Sequence, residues 1–166
     1  MLHTLLSGAD ALAGFETADA HCDIPCKIYD PCTAQIAALT IVRMVDLIND
    51  LQAAGSEDPV AFANSMSRFV ATKEEHGVKV KEEVRVIWGD YFKAPQMEKF
   101  PEIHDLSHSI MLLASASKQH VDRDKAVELV EKVNRFAEIF WATKGVEVKR
   151  RECPYPPSLE VVYPDL

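Results

Sequence analysis

The chain has 166 residues, with 18 lysines and arginines against 26 aspartates and glutamates, a formal net charge of -8, and 48% hydrophobic content. That length and balance fit one globular domain. The acidic surplus opposes nucleic acid and anionic membranes as partners, because both call for Lys/Arg clusters and the chain has only Lys149-Arg150-Arg151.

No stretch reads as the ~20 unbroken apolar residues of a membrane span, so a soluble chain with no membrane partner is expected. Cys22, Cys26, Cys32 and Cys153 are too few for a disulfide framework at this length. A reducing compartment and a cytoplasmic location are the expectation.

Residues 1–20 contain no Lys or Arg and carry Asp10, Glu16 and Asp19. A secretory signal needs a basic start and an unbroken apolar stretch, and this segment has neither, although its Ala-rich end resembles a small-residue cleavage site. A frayed tail, a short helix and a removable leader all fit.

The stretch HCDIPC at 21–26 then puts His21, Cys22 and Cys26 around Pro25. A C-x3-C pair alone is neither the double pair of a structural zinc site nor the C-x-x-C of a thioredoxin-like protein. Metal binding and thiol chemistry both remain open from these residues alone.

The rest of the chain predicts four amphipathic helices. Asp30-Pro31 is a helix start, with Asp as a cap and Pro at the first helical position. Ile41, Met44, Val45, Ile48 and Leu51 carry the apolar stripe to Gly55. Asp58-Pro59 repeats the start, and Phe62, Met66, Phe69, His76, Val80, Val84 and Ile87 continue one face until Gly89, with Lys73 and His76 as polar interruptions.

After the connector WGDYFKAPQMEKFP, the residues Ile103, Leu106, Ile110 and Leu113 mark a third helix. Asp122 or Asp124 caps a fourth, whose Val127, Val130, Val133, Ala137 and Phe140 run inward until Gly145. No strand alternation or G-x-G loop lies between them. The fold class is therefore all-α, an antiparallel four-helix bundle, followed over 145–166 by a proline-rich C-terminal arm lying extended on the bundle or on a neighbour.

Some side chains have a plain structural reading. HDLSH puts His104 and His108 one turn apart, a superficial likeness to the H-E-x-x-H of zinc proteases, but with the shorter Asp105 and no third ligand. Two surface histidines are expected. His76 by itself reads as a core histidine satisfied by a hydrogen bond, and Trp88, Tyr91 and Phe92 as packing at a bundle end with the tyrosine hydroxyl in water.

The order His21-Cys22-Asp23-Ile24-Pro25-Cys26, then Tyr29-Asp30-Pro31, resembles the metal hook of the nickel-containing superoxide dismutases, H-C-D-L-P-C-G-V-Y-D-P. Three later blocks are similar as well. Val86 to Lys93 resembles V-L-W-S-D-Y-F-K, Phe100 to His104 resembles Y-P-E-L-H, and Ile139 to Lys144 resembles I-F-W-E-T-K, so the likeness spans 21–144.

The resemblance implies a leader, 1–20, cut off by a peptidase between Ala20 and His21, so that the new amine becomes a ligand. It implies one nickel ion per subunit, held by the His21 amine, the Cys22 backbone nitrogen and the Cys22 and Cys26 thiolates, with the His21 imidazole axial in the oxidised state. Nitrogen and sulfur donors in a plane suit Ni(II), and thiolates stabilise the oxidised ion. An amide nitrogen can ligate only when no helix or sheet claims it, and Pro25 keeps the loop non-helical.

By the same resemblance Tyr29 stands over the open metal face, Tyr91 supports it, and Asp23 fixes the hook through backbone hydrogen bonds. The implied reaction converts superoxide to O2 and hydrogen peroxide by Ni(II)/Ni(III) cycling, in a homohexamer and without an organic cofactor.

Three positions depart from the family pattern. Its glycine after the second cysteine is Lys27, and its glutamate and arginine around the axial imidazole are Ala37 and His76. Losing both charges together avoids an unpaired buried one, and His76 is expected to take over the contact to His21. Two other readings stand beside the enzyme: a nickel or copper storage or delivery protein without turnover, and a thiol-redox module working without metal.

Overall fold

A computed structural model of the chain describes residues 27–166. Its elements are α1 (Cys32–Ala54), α2 (Pro59–Val86), a π turn (Ile87–Tyr91), α3 (Ala94–Lys99), α4 (Ile103–Gln119), α5 (Arg123–Lys144), β1 (Val148–Glu152) and β2 (Glu160–Pro164). The long helices pack in a ring, α1 against α2 and α5, and α4 against α2 and α5. The shared core is Ile41, Val42 and Val45 of α1, Val80 and Val84 of α2, Ile103 and Ile110 of α4, and Val133, Phe136 and Phe140 of α5.

Most boundaries follow from local chemistry. The Asp58 carboxylate accepts from Val60 and Ala61 N–H at 2.9 and 3.1 Å, and Asp122 accepts from Lys125 N–H at 3.0 Å. Each satisfies amides that the first helical turn leaves without partners. Asp30 does the same for Cys32 at 2.8 Å, so α1 starts one residue later than the Asp-Pro signal suggests. Gly145 ends α5 in the left-handed conformation, φ 71° and ψ 22°, which only glycine adopts without strain.

Three features differ from the sequence expectation. The second helix does not stop at Gly89: it widens into the π turn and runs to Tyr91, with Phe92 N–H reaching Ile87 O at 3.3 Å. The connector contains a short helix, α3, started by Pro95 and by Lys93 N–H donating to Gln96 Oε1 at 3.2 Å. The C-terminal segment folds as an antiparallel hairpin, with Arg150 opposite Val162.

The hairpin is pinned by a buried amide. Asn134 Oδ1 accepts from Gln35 Nε2 at 3.2 Å and from Val162 N–H at 3.3 Å, and its Nδ2 donates to Glu160 O at 2.8 Å. Gln35 Nε2 also donates to Val162 O at 2.9 Å. On the rim, Arg150 bonds Glu138 at 2.8 Å and Glu131 at 2.7 Å.

The polar interruption in α2 joins it to α4. Lys73 is buried and donates to the carbonyls of Ser117 and Lys118, which the end of α4 leaves without helical partners. Burial pushes its ammonium below the ordinary lysine range, and Glu74 at 3.7 Å works against that shift. Gly77, a turn later, is buried, and a Cβ there would lie 2.4 Å from Lys118 Cγ, which favours glycine at this crossing.

Among the described residues one helix, α1, is apolar and long enough to cross a membrane by composition, contrary to the sequence expectation. Its apolar residues instead form the centre of the core.

Asn134→Leu should preserve volume and strand its partners. The expected loss is about 2–3 kcal/mol in urea unfolding, because buried donors and acceptors are left unmatched. A midpoint equal to that of the native chain would show that the hairpin does not depend on this amide.

Candidate functional site

The implied metal ligands His21, Cys22 and Cys26, with Asp23 and Pro25, lie outside the described residues. Among the described residues no three His, Cys, Asp or Glu side chains converge on a common point. The donor set of the hook fits the group it is expected to hold: an amine and an amide nitrogen suit the square-planar geometry of Ni(II), and two soft thiolates stabilise its oxidised form.

The described chain begins at the exit of the hook. Lys27 is exposed and has φ 61°. A residue with a Cβ pays roughly 1 kcal/mol to sit there, whereas glycine adopts the conformation freely. Glycine here would be free of that cost, and the lysine adopts the conformation despite it.

Tyr29 follows, half-buried against the core, where the Asp30 cap and buried Pro31 fix the entry into α1. Its ring lies 5.7 Å from that of Tyr91, centroid to centroid and tilted by 51°. Tyr91 closes the π turn, and its ring packs on Phe140 at 4.9 Å and Phe92 at 5.3 Å. Lys144 Nζ stands 4.5 Å above the Tyr91 ring, a cation over a π face.

The Tyr91 hydroxyl does not face water as the sequence reading expects. It is 2.6 Å from Thr143 Oγ1, because the extra residue in the π turn swings the ring against α5. Sequence reasoning missed Thr143 and Lys144 as neighbours of Tyr91. The signal was present: both fall in the Ile139–Lys144 block, within the turn that follows Phe140.

The structure joins Tyr29 to Tyr91 and leaves His76 apart. His76 is half-buried on α2, four turns before Tyr91, roughly 22 Å along the axis at 1.5 Å per residue. Its Nδ1 is 2.8 Å from Thr72 O. A carbonyl only accepts, so Nδ1 carries the proton and Nε2 offers a lone pair. Ala37 is buried in the core face of α1.

His104 and His108 are both exposed, as two surface histidines. His104 Nδ1 accepts from Trp88 Nε1–H at 3.1 Å, so its Nε2 bears hydrogen and is no metal ligand in this arrangement. Both line a cavity of about 200 Å³ with Trp88, Ser107 and Met111. Cys32 and Cys153 are free thiols, the first exposed and the second buried.

The family model that matches the chain, over residues 16–144, is that of the nickel-containing superoxide dismutases, and the matched span includes the hook and both tyrosines. The chain belongs to this family. A nickel superoxide dismutase of Streptomyces coelicolor is 34% identical over 128 residues, covering 77% of this chain and 91% of the relative. One of Streptomyces seoulensis is 33% identical over 125 residues, covering 75% and 88%.

Solved structures agree. A native nickel superoxide dismutase structure at 1.30 Å matches with a TM-score of 0.64 and 34% identity, over 75% of this chain and 99% of that one. A nickel-containing superoxide dismutase with ligation of the oxidised state matches with a TM-score of 0.65 and 30% identity, over the same shares. The hairpin lies beyond the span of the family model, so this nickel superoxide dismutase carries an element outside the shared helical part.

Tyr91→Phe should keep the ring packing and lose only the hydroxyl bond, for about 1 kcal/mol in urea unfolding of the apo chain. Tyr91→Ala should cost about 3 kcal/mol or more. Equal losses in the two variants would mean that the ring contacts with Tyr29 and Phe140 contribute nothing.

Proposed function

We propose that the chain, cut between Ala20 and His21, disproportionates superoxide at one nickel ion per subunit. The ligands are the His21 amine and imidazole, the Cys22 amide nitrogen and thiolate, and the Cys26 thiolate. The observation that supports this reading most is the pairing of Tyr29 with Tyr91, two residues 62 positions apart that meet beside the exit of the hook in a chain of the nickel family.

Nickel, when bound, supplies the one-electron chemistry by which one superoxide is oxidised to O2 and a second is reduced, taking up two protons to become hydrogen peroxide. The protein's own part is geometric and electrostatic. Pro25 and Asp23 hold the hook in a non-helical course that frees the Cys22 amide. Tyr29, braced by Tyr91, narrows access to small anions and keeps water ordered at the opening.

Three cations lie beside the tyrosines in sequence or in space: Lys27 two residues before Tyr29, Lys93 two residues after Tyr91 with Nζ on Gly89 O at 3.1 Å, and Lys144 with Nζ 4.5 Å above the Tyr91 ring. They give an anionic substrate a local attraction that the protein's net charge of -8 does not.

The remaining features belong to the same reading. The ring of long helices is an antiparallel four-helix bundle, residues 1–20 are a leader removed by a peptidase, and the enzyme works in the cytoplasm without a membrane partner. Exposed Val60, Leu112 and Ile36 suit burial between copies in a homohexamer. A storage or delivery protein would share the ligands but lack turnover.

Protein matured to begin at His21 should carry about one nickel per subunit and disproportionate superoxide, while uncut chain and Cys22→Ser should take up none at the hook. Intact mass, metal analysis and pulse radiolysis read this. Nickel uptake without faster superoxide decay would leave storage as the function; no uptake by the matured chain would end both readings.

Lys27→Gln should lower kcat/KM about two- to threefold at low salt and flatten its ionic-strength dependence, with nickel content unchanged. An unaltered salt profile would make Lys27 a bystander.

A further inference from the structure

The hydrogen bonds at Tyr91 have a direction that the geometry decides. Thr143 Oγ1 is 2.6 Å from the Tyr91 hydroxyl and also 2.6 Å from the carbonyl oxygen of Phe140. A threonine hydroxyl has one hydrogen, and a carbonyl oxygen can only accept. The Thr143 proton is therefore spent on Phe140 O, and at Tyr91 the threonine oxygen must be the acceptor.

It follows that Tyr91 donates its phenolic hydrogen to Thr143 and keeps its oxygen lone pairs for any other partner. Lys144 above the ring and Phe140 beside it leave the ring little freedom to rotate out of this arrangement. We propose that Thr143 is a positioning residue of the dismutase site: it fixes the Tyr91 hydroxyl as a donor to α5 and so as an acceptor toward every other partner.

This inference rests on the functional reading above. It also separates anchoring from proton supply. The chain Tyr91, Thr143, Phe140 O ends on a carbonyl, which has no proton to pass on, so it cannot relay the two protons that peroxide formation consumes. Those protons come by another route, and the Tyr91 oxygen, held as an acceptor, is left to orient a donor such as water.

Thr143→Val removes the acceptor with little change of shape, and Thr143→Ser restores it. Two measurements on the matured full chain test the proposal. The first is ultraviolet resonance Raman of the metal-free protein, where the tyrosine Fermi doublet reports donor or acceptor character and Tyr91→Phe identifies the band. The second is kcat of the nickel-loaded protein.

The valine variant should shift the Tyr91 doublet and lower kcat about fivefold, the rate equivalent of one ordinary hydrogen bond, at native nickel content. The serine variant should match the native protein in both. A valine variant with a native doublet overturns the proposal, as does a shifted doublet with native kcat. Should the valine chain unfold, the serine variant decides alone: an altered doublet or kcat there, with the hydroxyl restored, overturns it. Native protein that fails to consume superoxide would sink the functional reading and the positioning role with it, while the doublet would still report the hydrogen bond.

Discussion

Contact between the Tyr29 and Tyr91 rings is the constraint on which the site depends. Six consecutive residues supply every implied ligand, so the hook needs an external anchor that sets where its open face points. Tyr29 lies three residues beyond Cys26, half-buried against the core, and its ring meets that of Tyr91 at 5.7 Å. Tyr91 in turn is held by Phe140, Phe92 and Thr143, and so by the core of the helical ring. A metal site that is local in sequence is in this way tied to residues more than a hundred positions away.

The same contact explains the π turn. A regular helix through Ile87–Tyr91 would direct the tyrosine some 100° differently about the axis, and the turn's extra residue corrects the aim. Phe92 goes fully into the core at that point, while Tyr91 stays half-buried with its hydroxyl satisfied. Local helical regularity is given up, and a fixed aromatic wall results.

Charge follows a similar division. The molecule as a whole is acidic, yet Lys27, Lys93 and Lys144 lie beside Tyr29 or Tyr91 in sequence or in space, and two of them are held by a carbonyl and by an aromatic face rather than by carboxylates. Among the described residues no carboxylate forms an ion pair with any of the three. Other basic side chains are paired with carboxylates, as in Arg150 with Glu131 and Glu138, or Arg135 with Glu102, where they fasten elements together. The backbone strain at Lys27 shows that a cation can occupy a position whose geometry favours glycine.

The sequence by itself determined the helix starts at Asp58 and Asp122, the stop at Gly145, the inward stripes and the hook motif, because each depends on neighbours within about one turn of the chain. It also carried the family, through four blocks whose spacing along 21–144 is itself a pattern. Only tertiary structure decided that the Tyr91 hydroxyl turns to Thr143, that Lys73 caps a different helix, that Asn134 fastens the hairpin, and that His76 stands four turns from the tyrosine pair. Those outcomes depend on which atoms two helices bring within 3 Å of each other. A side chain's partner across a packing interface is a property of the interface, and no local pattern encodes it.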